Sequence, residues 1–265
     1  MMKAIKRETY SPAEIVQHQP TKTHRNTAIL VGVLFIIGTL AGVLSVLFTK
    51  PIFDDPDYLV RVSTDGNPII IGSVLVLIMG LSLAFVPVVM FPVFKHYNEA
   101  LALGYVVFRG ALETVAYIAV AVGWMLLLPV SQAYVQAGAP DASTFQALGT
   151  LLRKEAEISS TMTAIVFPVG AMMFYALLYQ SKLIPRWLSV WGLIGVTLHL
   201  VATGVGGMFT LTSGLLPIQD VVALPIFLQE MVMAGWLIVK GFNPSAIASG
   251  SLSTDANDRR LSAST

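Results

Sequence analysis

The hydrophobic positions of this chain fall in long blocks almost free of charge, separated by short polar stretches. A helix rises about 1.5 Å per residue, and a hydrocarbon core of about 30 Å takes roughly 20 apolar residues to cross. By that measure the blocks at 27–49, 68–93, 103–128, 159–180, 187–210 and 218–239 each predict a spanning helix. In the first, Gly38 and Gly42 form a small-xxx-small step that admits a neighbouring helix. Pro87 and Pro92 are expected to kink or end the second helix, and Pro129 to end the third. Pro168 and Pro225 fall inside the fourth and sixth.

The polar stretches set the connections. Residues 50–67 read as a short acidic loop carrying Asp54, Asp55, Asp57 and Asp65, and 94–102 and 181–186 as tight turns. The run of aspartates lacks the spacing and the glycine of a calcium loop, so a solvated loop is expected. In 130–158, Ser143 and Gln146 fit a capping box, and Phe145, Leu148, Leu152 and Ala156 recur at helical spacing. An interfacial helix leading into the fourth span is expected there. The organisation is then a polar arm at 1–26, a six-helix transmembrane domain at 27–243, and a tail at 244–265 too poor in apolar residues to pack.

Composition agrees. Of 265 residues, 55% are hydrophobic and 12% charged, against about 25% charged in an average soluble domain. The mean hydropathy is +0.74. The fold class expected is therefore all-α, a polytopic transmembrane helix bundle of about six spans, with the lipid bilayer as its surroundings. The net charge is +1 and no basic patch interleaves with aromatics, which excludes a nucleic-acid partner. There is no cysteine, so disulfides, thiolate metal sites and cysteine nucleophiles are excluded. The first apolar block is longer than a signal h-region and lacks an A-x-A exit, so it is expected to stay as an anchor.

An even number of spans puts both ends on one side. The segments on that side hold Lys3, Lys6, Arg7, Lys22, Arg25, Lys95, Lys182, Arg186, Lys240, Arg259 and Arg260; the opposite side holds only Lys50, Arg61, Arg153 and Lys154. The positive-inside rule then places both termini in the cytoplasm.

Ionisable residues inside the spans carry the candidate chemistry. Glu113 and Glu230 each lie about 15 Å in from the cytoplasmic end of their span, His199 about 18 Å and Arg109 about 9 Å. Arg109 and Glu113 are four apart and share a helix face. A charge at mid-bilayer costs at least roughly 2.5–3.5 kcal/mol, so Arg109 is expected to bridge Glu113 and Glu230 inside the bundle. Such a cluster is either a structural lock or a proton, ion or polar-solute site. His199 is the weaker member, since a lone histidine commonly makes one local hydrogen bond. Met172, Met173, Met231 and Met233 are expected to pack rather than to bind metal. No phosphate loop, zinc-protease, nucleophile-elbow or potassium-filter motif occurs, so no metal or cofactor is assigned.

Three stretches resemble bacterial membrane proteins grouped as domain of unknown function 4386. They are L-G-Y-V-V-F-R-G-A-L-E-T-V in the third span, S-K-L-I-P-R-W-L-S-V-W-G-L-I-G from Ser181, and L-P-I-F-L-Q-E-M-V-M-A-G-W-L-I-V-K-G-F from Leu224. The matching positions are Arg109, Glu113, Pro185, Arg186, Trp187 and Glu230. The resemblance covers roughly 26–243 and implies a multi-pass protein of the bacterial plasma membrane with no settled activity. Three functional classes stay open: a small transporter or ion-coupled protein, an intramembrane enzyme acting on a lipid, and a scaffold or sensor. The ligand is correspondingly a small polar solute, an ion or a lipid, and the oligomeric state is not fixed.

Overall fold

The computed structural model describes residues 12–137, 139–213 and 218–248. Among these, all regular structure is helical. Helix α1 is Pro12–Phe53, α2 Tyr58–Thr64, α3 Asn67–Phe94, α4 Glu99–Tyr105, α5 Glu113–Gln136, α6 Ala139–Ser181, α7 Arg186–His199, α8 Gly206–Ser213 and α9 Ile218–Val239. Two π-helical segments, Val106–Leu112 and Leu200–Val205, join α4 to α5 and α7 to α8. The first therefore completes one long helix, Glu99–Gln136.

Among the described residues, five helices are long and apolar enough to cross a membrane: His24–Phe53, Asn67–Phe94, Glu99–Gln136, Ala142–Ser181 and Arg186–Phe209. A shorter apolar helix, Leu224–Val239, forms the carboxyl-terminal part of α9. Their outward positions are apolar: Leu40, Leu47, Phe85, Val115, Val122 and Val201 are all exposed. In water such a surface would be driven together; against hydrocarbon it needs no cover, and helices satisfy their own backbone hydrogen bonds there.

Packing closes the helices into a ring. Helix α1 packs on α3, α3 on α5, α5 on α6, α6 on α7, α7 on α9, and α9 returns to α1. The Gly38–Gly42 step faces α3, where Leu83 and Met79 fill the space that a Cβ at these positions would take. One end of the bundle is filled by a large apolar cluster that includes Phe35, Phe94, Tyr105, Phe174, Tyr175 and Met233. Near the other end, Ile52, Tyr58, Leu59, Val62, Ile69 and Leu127 form a second cluster.

Several connections differ from expectation. The acidic stretch 50–67 is not a plain loop: α1 continues through Phe53, and α2 buries Tyr58, Leu59 and Val62. Its apolar residues at one and three-to-four spacing supply a core face that the aspartates obscured. The interfacial helix expected before the fourth span is continuous with it in α6. Prolines do not end the helices either. Helix α3 runs through Pro87 and Pro92, and α5 runs past Pro129 to Gln136. In a bundle, neighbouring helices and hydroxyl side chains compensate the lost donor.

The amino-terminal arm is helical from Pro12, continuous with the first span, while residues 1–11 lie outside the described residues. Of the carboxyl-terminal tail, 244–248 form a helical turn docked on the bundle. Ala246 is buried, and Tyr97 Oη donates to its carbonyl at 2.9 Å. Burial pushes the Tyr97 hydroxyl above its ordinary range, which keeps it a donor. Residues 249–265 lie outside the described residues.

Candidate functional site: a buried ionic cluster at a widened helical turn

Arg109 stands in the first π-helical segment, where the amide of Glu113 bonds five residues back to the Phe108 carbonyl. A π turn is wider than an α turn and is frequently found at functional sites. Here it lies against α6 at Gly170. A Cβ at Gly170 would come within 3.1 Å of the Arg109 backbone nitrogen and 3.2 Å of the Phe108 Cβ. Only a residue without a side chain lets α6 approach the widened turn this closely.

The guanidinium reaches inward rather than toward an interface. Arg109 is 3% exposed and Glu113 is 1% exposed. Arg109 Nη1 donates to Glu113 Oε1 at 3.1 Å, and Nη2 pairs with Glu230 Oε1 of α9 at 3.6 Å. The same Glu113 oxygen accepts the Tyr117 hydroxyl at 3.0 Å. Glu113 Oε2 is buried and has no hydrogen-bond partner among the described residues. Above the guanidinium, the ring of Phe167 lies 4.5 Å from its carbon to the ring centroid. A desolvated cation on an aromatic face is stabilised by about 2 kcal/mol.

The expected trio of Arg109, Glu113 and Glu230 is thus brought together. His199 is not bonded to it. Its ring lies T-shaped to that of Phe167 with centroids 5.4 Å apart, and its Nδ1 is buried without a partner among the described residues. Phe167 therefore contacts both the histidine and the guanidinium. The second π-helical segment begins directly after His199 and packs on α6 and α9. No group of three His, Asp or Glu side chains spaced to hold a metal ion occurs among the described residues.

Gln229, beside Glu230, is fully buried. It accepts from Tyr175 Oη at 2.6 Å and donates to the Leu188 carbonyl at 3.0 Å, which ties α9 to α6 and α7. These bonds fix the rotation of α9 and so aim the next residue, Glu230, at Arg109.

Sequence reasoning missed three contributors. Tyr117 follows Glu113 by four residues, so the R-x-x-x-E pattern extends to R-x-x-x-E-x-x-x-Y on one helix face. That signal was available. Phe167 carries no sequence mark beyond its place before Pro168. Glu155 falls in a stretch that reads as a connection, yet on the continuous α6 it faces α5 at Gly123. Ser159 Oγ donates to Glu155 Oε1 at 2.8 Å, and Glu155 Oε2 is buried without a partner among the described residues. The antiparallel register of α5 and α6 sets Gly170 against Arg109 and Glu155 against Gly123. Ser159 and Thr163 lie on α6 between those two levels.

A ring of apolar helices enclosing a charged set in its interior defines a multi-pass helical membrane protein. The chain belongs to the family described as domain of unknown function (DUF4386), which it matches over residues 30–241. That span contains Arg109, Glu113 and Glu230. No curated protein and no solved structure matches the chain.

Proposed function

We propose that this protein is a small ion-coupled transporter of the plasma membrane in which Glu113 and Glu230 take up and release a proton or small cation beside Arg109. The observation that carries this reading is the charge and bonding imbalance of the cluster. Two carboxylates face one guanidinium, and Glu113 Oε2 has no donor among the described residues. Net charge in a low-dielectric interior is costly, so a proton or a cation is the natural counterweight. A bound cation that comes and goes is what coupling requires. A further carboxylate on α6 supports it: Glu155 accepts from Ser159 Oγ and keeps a buried Oε2 without a partner among the described residues.

A specific observation favours a second reading, a structural lock. Arg109 is engaged by two helices and an aromatic ring at once, which fixes register between the third and last spans. The lipid-enzyme reading needs His199 alongside the carboxylates, and the contact His199 makes is with the Phe167 ring rather than with Glu113 or Glu230.

The discriminating experiment is flux in proteoliposomes under an imposed pH gradient, with Glu113→Gln and Glu230→Gln compared to wild type. The transporter reading expects proton-linked flux that either substitution reduces by at least an order of magnitude. Flux absent from a folded wild type across protons, sodium and potassium leaves the lock. Both termini are proposed to be cytoplasmic on the lysine and arginine bias; reporters fused after Lys50 and at the carboxyl end test this, and a tail reporter active only outside the cytoplasm reverses it.

A further inference from the structure

Far from the ionic cluster, at the end of the bundle where α6 turns into α7 and α9 ends, lies a cleft of about 570 Å³. Lys182, Arg186, Lys240, Trp236 and Asn243 line it. Ion pairs among the described residues lie elsewhere, at Lys50–Asp54, Arg61–Asp55, Lys154–Glu157 and the Arg109 set. Three cations therefore share one cleft with no carboxylate partner among the described residues. We propose that this cleft binds the phosphate headgroup of an anionic phospholipid.

Four features agree on that ligand. The cations come from two separate segments, Lys182 and Arg186 flanking the α6–α7 turn and Lys240 closing α9, and Asn243 N–H donates to the Leu183 carbonyl at 2.8 Å, which holds the segments together. The carbonyls at the end of α9 would repel an anion, but Arg25 Nη2 donates to those of Ile238 and Val239 at 2.7 Å and 3.3 Å. Arg25 and Lys240 also line an adjoining cavity of about 200 Å³, so positive charge continues beside the cleft. Along α7 and α9, Val190, Ile194, Val232 and Val239 are exposed and offer an apolar surface to acyl chains. Trp187 and Trp191 stack at 6.3 Å at the start of α7, and Trp187 is exposed, as interfacial aromatics are. The outward faces of α7 and α9 already meet hydrocarbon, so a phospholipid lying against them brings its phosphate to these cations.

Fluorescence quenching of Trp236 tests the proposal. The protein is placed in phosphatidylcholine nanodiscs carrying a minor fraction of brominated phosphatidylglycerol or of brominated phosphatidylcholine. The Trp236 signal is the difference between wild type and Trp236→Phe. The expected result is stronger quenching by the glycerol lipid. Each of Lys182→Gln, Arg186→Gln and Lys240→Gln should weaken that preference about fivefold, the equivalent of roughly 1 kcal/mol per cation. Lys95→Gln, an exposed cation outside the cleft, should leave it unchanged. The single variants alter exposed side chains, so folding, checked by thermal melting, is preserved. Equal quenching by the two lipids overturns the proposal, as does a preference that survives all three substitutions. Loss of the preference on adding inorganic phosphate would assign the cleft to a free anion instead.

Discussion

The guanidinium of Arg109 lies 4.5 Å from the centroid of the Phe167 ring, although the two residues belong to different helices and neither marks the other in the sequence. Phe167 covers the cation and meets His199 on its other contact. Phe167→Leu keeps the volume roughly and removes the aromatic face, so it should cost about 2 kcal/mol of stability. Thermal unfolding in detergent measures it. The same substitution in an Arg109→Met background should cost much less, because no cation remains to be stabilised; equal costs in the two backgrounds would dismiss the interaction.

Arg109 and Glu113 are coupled more strongly. Removing one member of a buried charged set leaves the other uncompensated, at about 3–5 kcal/mol. Arg109→Ala should therefore destabilise more than Arg109→Ala combined with Glu113→Ala. A double-mutant cycle read by unfolding gives the coupling directly, and a value near zero would separate the pair.

Gly170 sets how closely α6 approaches the widened turn. Gly170→Ala demands a shift of a few tenths of an ångström in Arg109 or Phe108, and Gly170→Leu a larger one. The leucine should cost about 1–3 kcal/mol by overpacking and should weaken the Arg109–Phe167 coupling. If the leucine variant melts with wild type, the close approach is not needed.

Outside the spans, Asp55 accepts the Asp57 backbone N–H at 2.9 Å and pairs with Arg61 at 3.1 Å. The backbone hydrogen bond foremost, then Arg61, holds its carboxyl below the usual carboxylate range. A lowered folded-state pKa adds stability that is complete above the unfolded value, about 3.9, and fades as pH falls through the folded value. Asp55→Asn should accordingly speed hydrogen exchange in α2 at neutral pH. The difference from wild type should vanish in acid below Asp55's own titration. A difference that persists there would point to packing rather than charge.

The sequence by itself determined the membrane class and the helices. Block length against bilayer thickness is a one-dimensional property, and backbone hydrogen bonding in hydrocarbon leaves helix as the answer for such blocks. It also determined that Arg109 and Glu113 share a face, because residues four apart meet on a helix; the same spacing extends to Tyr117, which sequence reasoning passed over. Only the tertiary structure decided which helices are neighbours and how each is rotated. The ring order brings α9 and α6 to the third helix, the Gln229 bonds turn Glu230 inward, and Gly170 admits α6 to the π turn. The π turn itself and the covering by Phe167 arise from packing between helices far apart in sequence. So does the burial of Glu155 Oε2, on a stretch that looks polar until α6 is seen to continue through it. Hydrophobic pattern reports how apolar a face is, not which partner it meets. In lipid the outward faces are as apolar as the inward ones, so the usual sign of which side is core is missing.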